Sequence, residues 1–242
     1  MATNYRDMSA AELLALEPPG WGGVLVEGLI VSLQVAILGY LIGLLIGLGG
    51  ASLKRSGGPV TRDLMSVYTT VVRAIPELVL ILMAYFAMPE LINHILLSFG
   101  QERIEISGFA AGVMVIGFVQ GAYATEVLRG AIASVPQGHI EAAQSFGMHP
   151  LRIFFRVTLP EMLPAAIPGM SNLWLIATKD TALLAVVGFT ELTLAARQAA
   201  GATKHHFLFL AAAGVLYLII TLLSAQLFKI LENRVNRGVR HA

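Results

Sequence analysis

The sequence has no cysteine and little charge: 13% of its 242 residues are charged, against about 25% in a soluble domain. Without cysteine there is no disulfide framework, no thiolate metal site and no thiol nucleophile. No Gly-x-x-x-x-Gly-Lys-[Ser/Thr] run occurs, so the chain lacks a P-loop to cradle nucleotide phosphates. A His-Glu-x-x-His zinc motif is also absent, and the adjacent His205 and His206 read as a polar flank beside an apolar run. Residues 1–20 lack the basic start, short apolar core and small-residue cleavage site of a secretory signal. Ser171, in Gly169-Met170-Ser171-Asn172, has no histidine in its own or a facing span to act as a base, which argues against an intramembrane hydrolase. No catalytic residue, metal ligand or cofactor is therefore expected in the chain, and no nucleic-acid partner.

What is present is apolar surface: 56% of residues are hydrophobic and the mean hydropathy is +0.74. Several runs exceed the ~18–20 residues needed to cross ~30 Å of hydrocarbon. Spans are expected over about 22–48, 64–88, 107–128, 162–189 (with a charged interruption) and 207–231. Only helices or closed barrels satisfy backbone groups in lipid, and no alternating ten-residue pattern marks a barrel. The expected fold is all-α: a polytopic bundle of about five transmembrane helices at 21–232. It lies between an N-terminal segment at 1–20 and a basic tail at 233–242. Within the first segment, Ser9 and Glu12 have capping-box spacing, and Pro18-Pro19-Gly20 ends a short amphipathic helix suited to a membrane interface.

Basic residues orient the spans. Lys54, Arg55 and Arg62 follow the first; Arg129, Arg152 and Arg156 surround a polar insert at about 134–160; Lys229, Arg234, Arg237 and Arg240 close the chain. The other loops balance Arg103 with Glu90, Glu102 and Glu105, and Arg197 and Lys204 with Glu191. The positive-inside rule then places the insert and C-terminus in the cytoplasm and the N-terminus outside. Gly39, Gly43 and Gly47 recur every four residues on one face of the first span, where another helix can approach closely. A neighbouring span of the same chain is favoured there over a second subunit.

The insert has its own punctuation. Ser134 and Gln137 have capping-box spacing around Pro136, Gly147 suits a left-handed helix end, and Pro150 blocks continuation. Leu151, Phe154, Phe155 and Thr158 form a mostly apolar stripe opposite Arg152 and Arg156. The insert is expected to be a helix-turn-helix. Either an outside partner binds it or it packs under its own bundle.

Charges also fall inside the spans. Glu77 is expected about thirteen residues into its span, roughly 20 Å deep at ~1.5 Å per residue. A carboxylate there costs ~2.5–3.5 kcal/mol on insertion scales. It either pairs with Arg73 one turn back, in the weaker orientation, or meets a cationic substrate group, leaving Arg73 for a carboxylate. Lys179 and Asp180 do not face each other at i,i+1, so each needs another partner. Asn172, Gln34 and Gln120 are neutral polar groups suited to interhelical hydrogen bonds or to lining a path. Glu126 and Arg129, at i,i+3, read as a pair, and Pro160, Pro164 and Pro168 as a kinked approach to the fourth span.

The residues now carry a resemblance. Glu141-Ala142-Ala143, Gly147 and Leu159-Pro160 resemble the EAA loop of permease subunits in bacterial binding-protein-dependent ABC importers. Arg73-Ala74-Ile75-Pro76-Glu77-Leu78-Val79 resembles the second-span motif of polar amino-acid permeases. Gly121-Ala122-Tyr123-Ala124-Thr125-Glu126-Val127-Leu128-Arg129-Gly130 is similar to their third-span end. Lys179-Asp180-Thr181-Ala182-Leu183 resembles a motif that usually ends Ser-Leu, with Ala182 a departure. Val135-Pro136-Gln137-Gly138-His139-Ile140-Glu141 and the acid after Pro76 are most similar to the branch for histidine, lysine, arginine and ornithine, including the octopine and nopaline systems.

The resemblance implies that residues 137–150 form a coupling helix, with Gly138, Glu141, Ala142, Ala143 and Gly147 docking on a cytoplasmic ATPase dimer that holds ATP and magnesium. It implies a second, related permease chain as a heterodimer partner, a periplasmic substrate-binding protein and a place in the bacterial inner membrane. It also implies alternating-access import of polar, notably basic, amino acids, with Arg73, Glu77, Asn172, Lys179 and Asp180 along the substrate pathway. The rival is an ion-driven carrier with no ATPase, which five spans without an inverted repeat fit poorly.

Overall fold

The computed structural model describes Tyr5 and residues 8–236, all of its regular structure helical. The basic tail expected at 233–242 is thus described only as far as Asn236; Arg237 and Arg240 lie outside the described residues. Helices α1 (Ala10–Leu13), α2 (Gly22–Ser56), α3 (Pro59–Ala74), α4 (Glu77–Ser98) and α5 (Gly108–Ala133) lead to α6 (Gln137–Ser145) and α7 (Pro150–Ile153). A π-helical turn at Phe154–Thr158 feeds α8 (Leu159–Asp180). That helix tightens into a 3-10 turn at Thr181–Val187, and α9 (Leu192–Thr203) and α10 (His206–Asn236) follow.

Four helices, α2, α4, α5 and α10, are long and apolar enough to cross a membrane. The segment 150–187 and α9, bent by 48° at their junction, pass the same test of length and apolarity together, as a fifth span broken at the bend or a re-entrant loop. The expected bundle of about five spans is therefore present, but two spans differ from expectation. The second was placed at 64–88. Pro76 instead breaks it: residues before proline favour extended backbone, and Ile75 adopts φ −85°, ψ 138°. An amphipathic helix, α3, precedes the break, and the apolar span starts at Glu77. In place of an unbroken fourth span to 189, the helix ends with the 3-10 turn at Val187. After Gly188, at φ 82°, the chain begins α9, which was read as loop. Its signal lay in Ala195, Ala196, Ala199 and Ala200, a helical stripe that is fully buried.

α5 is the central helix: 72% of its most apolar stretch is buried, against 11% for α10. Its partner is α2, through the most extensive helix contact in the fold. A Cβ on Gly39 would lie 2.7 Å from Ile116 Cγ2, and one on Gly43 2.7 Å from Gln120 Cβ. The arrangement is reciprocal, because Gly117 and Gly121 of α5 seat Ile42 and Ile46 of α2. The glycine face is thus internal packing, the small-residue contact that lets membrane helix backbones approach closely.

Glu191, counted among the loop charges above, is wholly buried instead. Its carboxylate caps α9, accepting from the Thr193 and Leu194 amides at 2.9 Å each. Ser32 Oγ of α2 and Tyr217 Oη of α10 donate to it at 3.1 and 2.8 Å. No ion pair reaches Glu191 among the described residues. Four donors and a helix N-terminus stabilise the anion instead, tying α2, α9 and α10 together. The capping box at the start of the chain forms as expected. Ser9 N–H donates to Glu12 Oε2 at 2.7 Å, the Glu12 amide donates to Ser9 Oγ at 3.3 Å, and these bonds hold the Glu12 carboxyl below its ordinary pKa. Leu13 packs into the core shared by α2, α9 and α10, so α1 is docked on the bundle.

Candidate functional site

The insert folds into a helical hairpin at the end of the bundle where α2 and α5 finish. α6 ends in a Schellman motif: Gly147, at φ 72°, donates to the Gln144 carbonyl at 2.8 Å, and Met148 to that of Ala143 at 3.2 Å. The expected capping box at its start does not form. Ser134 closes α5 by donating to the Ala131 carbonyl, and Pro136, without a side-chain hydrogen bond, precedes α6.

Ile140 and Ala143 anchor α6 in a core with Leu128, Ile132, Ile153 and Met162. His139 Nδ1 meets Glu161 of α8 at 2.8 Å. The five expected docking residues divide accordingly. Gly138, Glu141, Ala142 and Gly147 are exposed, while Ala143 points into the bundle. Phe146 is 88% exposed at the tip.

The second arm differs from the expected stripe. Ile153 and Thr158 face inward, whereas Leu151 and Phe155 are 63% and 58% exposed. The reason is the π-helical turn, whose wider repeat shifts the inward face. Pro160 lies just beyond it and has no N–H to offer the Arg156 carbonyl.

A polar cluster lies among α3, α4, α5 and the end of α8. Arg73 and Glu77 occupy separate helices, and the one-turn ion pair, one of the two alternatives for Glu77, is absent among the described residues. Both turn to Tyr123 of α5. Its hydroxyl donates to Glu77 Oε1 at 3.4 Å, and the Arg73 guanidinium carbon sits 5.9 Å from its ring centroid. Glu77 is the first residue of α4 rather than deep in a span, where the positive end of the helix favours its charge.

Asp180 is buried and accepts from Gln120 Nε2 at 3.3 Å. Gln120, itself 1% exposed, leaves Oε1 without a protein partner. Glu77 and Asp180 thus each engage α5, through Tyr123 and Gln120, which lie about one helical turn apart. Lys179 and Asn172 are exposed and belong to no such cluster. Gln34 is exposed too, which leaves Gln120 as the structurally engaged amide.

Two participants were not recognised in the sequence. Tyr123 carried no charge to mark it, and Lys54 was read only as an orienting charge. Lys54 Nζ in fact reaches Glu126 Oε1 at 2.5 Å, beside the expected Glu126–Arg129 pair at 2.9 Å.

Comparison with known proteins now adds identity. Residues 39–237 match the family model described as "Binding-protein-dependent transport system inner membrane component". The chain is 37% identical to the octopine transport system permease protein OccQ of Rhizobium radiobacter, over 96% of this chain and 99% of that one. It is 38% identical to the histidine/lysine/arginine/ornithine permease protein HisQ of Salmonella typhimurium, over 92% and 98% of the two chains. With the nopaline permease protein NocQ of Agrobacterium fabrum the identity is 41%, over 94% and 98%. Among solved structures, an amino acid ABC transporter crystallised with histidines superposes with a TM-score of 0.72 at 29% identity, covering 88% of this chain and 95% of that one. With residues 39–237 matched and these identities over most of its length, the chain belongs to the family of inner-membrane components of binding-protein-dependent transport systems.

Proposed function

We propose that this chain is the permease subunit of an ATP-driven importer for basic amino acids. The observation that carries the cargo is the cluster of Glu77, Asp180 and the unpartnered Gln120 Oε1, an acceptor-rich site suited to an ammonium or guanidinium group. The names of the histidine/lysine/arginine/ornithine, octopine and nopaline relatives support the same chemistry. Arg73, beside Tyr123, is placed to meet the substrate carboxylate. Lys179 and Asn172, exposed on the same helix, complete the proposed pathway.

The hairpin end faces the cytoplasm and the N-terminus the periplasm. An ATPase dimer, holding ATP and magnesium, docks on α6 through Gly138, Glu141, Ala142 and Gly147. Ala143 fixes that surface from behind. The chain itself catalyses no covalent step. Closing of the ATPases on ATP moves the hairpin and opens the bundle outward to a periplasmic binding protein. Hydrolysis and release restore the inward-facing state. A second, related permease chain completes the pathway.

Glu77→Gln tests the cargo. In vesicles containing the assembled importer, uptake of a cationic amino acid is expected to fall about tenfold, the equivalent of ~1.4 kcal/mol, while neutral substrates are little affected. Equal loss for both classes would assign Glu77 to the Tyr123 contact alone.

A further inference from the structure

Cations gather at the hairpin end of the bundle beyond what its own acids balance. Lys54 and Arg55 occupy the last turn of α2, Arg62 lies near the start of α3, and Arg129 near the end of α5. Two clefts adjoin there. One, of about 530 Å³, is lined by Lys54, Arg55, Arg129 and the segment 132–137. The other, of about 410 Å³, is lined by Lys54, Arg62, Ser66, Glu126 and Arg129. Glu126 is the sole acid lining either, and it is already engaged by Lys54 and Arg129. Arg55 and Arg62 have no ion pair among the described residues, and Arg55 donates only to the Ile132 carbonyl at 3.3 Å.

Four cations around one carboxylate leave a site built for an anion. Its depth selects the anion. α2 runs 35 residues without a break, about 52 Å at 1.5 Å per residue, so its end passes beyond ~30 Å of hydrocarbon into the headgroup layer. Ala51, Ile132, Ala133 and Val135 give the larger cleft an apolar wall beside its charges.

We propose that the paired clefts bind the headgroup phosphate of an anionic phospholipid. Arg55 and Arg129 grip the phosphate from one cleft, and Arg62 reaches it from the other. Lys54 and Arg129, common to both clefts, hold the two arms together. Basic pockets between span ends at a membrane surface recognise such headgroups. The site depends on the charge and depth of this end of the bundle, and not on which substrate the protein carries.

Native mass spectrometry of the full-length chain, with any co-purifying subunits, in detergent mixed with phosphatidylglycerol and phosphatidylcholine tests this. Wild type is expected to retain phosphatidylglycerol selectively. Arg55→Gln and Arg62→Gln should each reduce that retention about fivefold, the effect of removing one surface cation worth ~1 kcal/mol. Both side chains are exposed, so thermal melting should be unchanged and loss of folding is read separately. Arg103→Gln, an exposed cation in the α4–α5 loop, should retain lipid as wild type does.

Equal retention by Arg55→Gln, Arg62→Gln and wild type overturns the proposal, as does an equal loss in Arg103→Gln. Displacement of the lipid by inorganic phosphate would assign the clefts to a soluble anion and overturn it too. Loss of a co-purifying ATPase from Arg55→Gln, with lipid retention intact, would assign them to an acidic protein surface instead.

Discussion

Gly47→Leu is expected to prevent stable packing of the bundle, whereas Gly49→Leu, two residues away, is tolerated. A Cβ at position 47 would lie 2.8 Å from the Ala124 carbonyl carbon and closer still to the Ala124 side chain, while nothing lies within 4 Å of one at 49. Backbone on the far side cannot swing away as a flexible side chain can. α2 and α5 must separate along their length, at a cost above the ~1–3 kcal/mol of ordinary overpacking. Against a typical total of 5–15 kcal/mol, that is a large fraction of the stability. Thermal unfolding in detergent, followed by protease resistance, reads the difference. Equal melting of the two variants would show that the glycine contact does not hold the fold.

The second large effect concerns coupling. Glu141→Lys reverses an exposed charge on α6 without touching the buried anchors Ile140 and Ala143. Gly147→Pro removes the amide that bonds Gln144 and forces φ from 72° to about −65°, dismantling the helix end at about 3 kcal/mol locally. In vesicles containing the assembled importer, both variants should insert normally and hydrolyse ATP, yet transport at least about tenfold more slowly, a loss of ~1.4 kcal/mol or more in driving the cycle. Transport at the wild-type rate by both would remove α6 from the coupling role.

Legibility in the sequence followed the range of the forces involved. Apolar length located the spans, since crossing a membrane is a constraint one segment satisfies alone. Local chemistry located the Gly147 helix end and the Ser9–Glu12 cap, whose partners lie within a few residues. The glycine face of α2 predicted close approach correctly and favoured a partner within the chain. What failed depended on distant residues. Glu191 looks like a loop charge in the sequence because two of its four donors, Ser32 and Tyr217, lie 159 and 26 residues away. Tyr123 carried no mark because its role exists only where Arg73 and Glu77 part at Pro76. The second span was misplaced because hydropathy ran on through Ile75–Pro76, while backbone geometry did not.

The glycine contact between α2 and α5 has a mechanical meaning as well. Of the spans near the polar cluster, two are jointed: one at Ile75–Pro76, the other between Thr181 and Glu191. α2 and α5 have no joint, and their side chains seat on each other's glycines. The alternating access proposed above is therefore expected to turn the jointed segments around the α2–α5 pair, as arms move on a fixed chassis. Glu77 heads one jointed segment and Asp180 ends the other, while Gln120 and Tyr123 belong to the unbroken α5. In the cycle proposed above, a group held by all four is expected to be released when either arm turns.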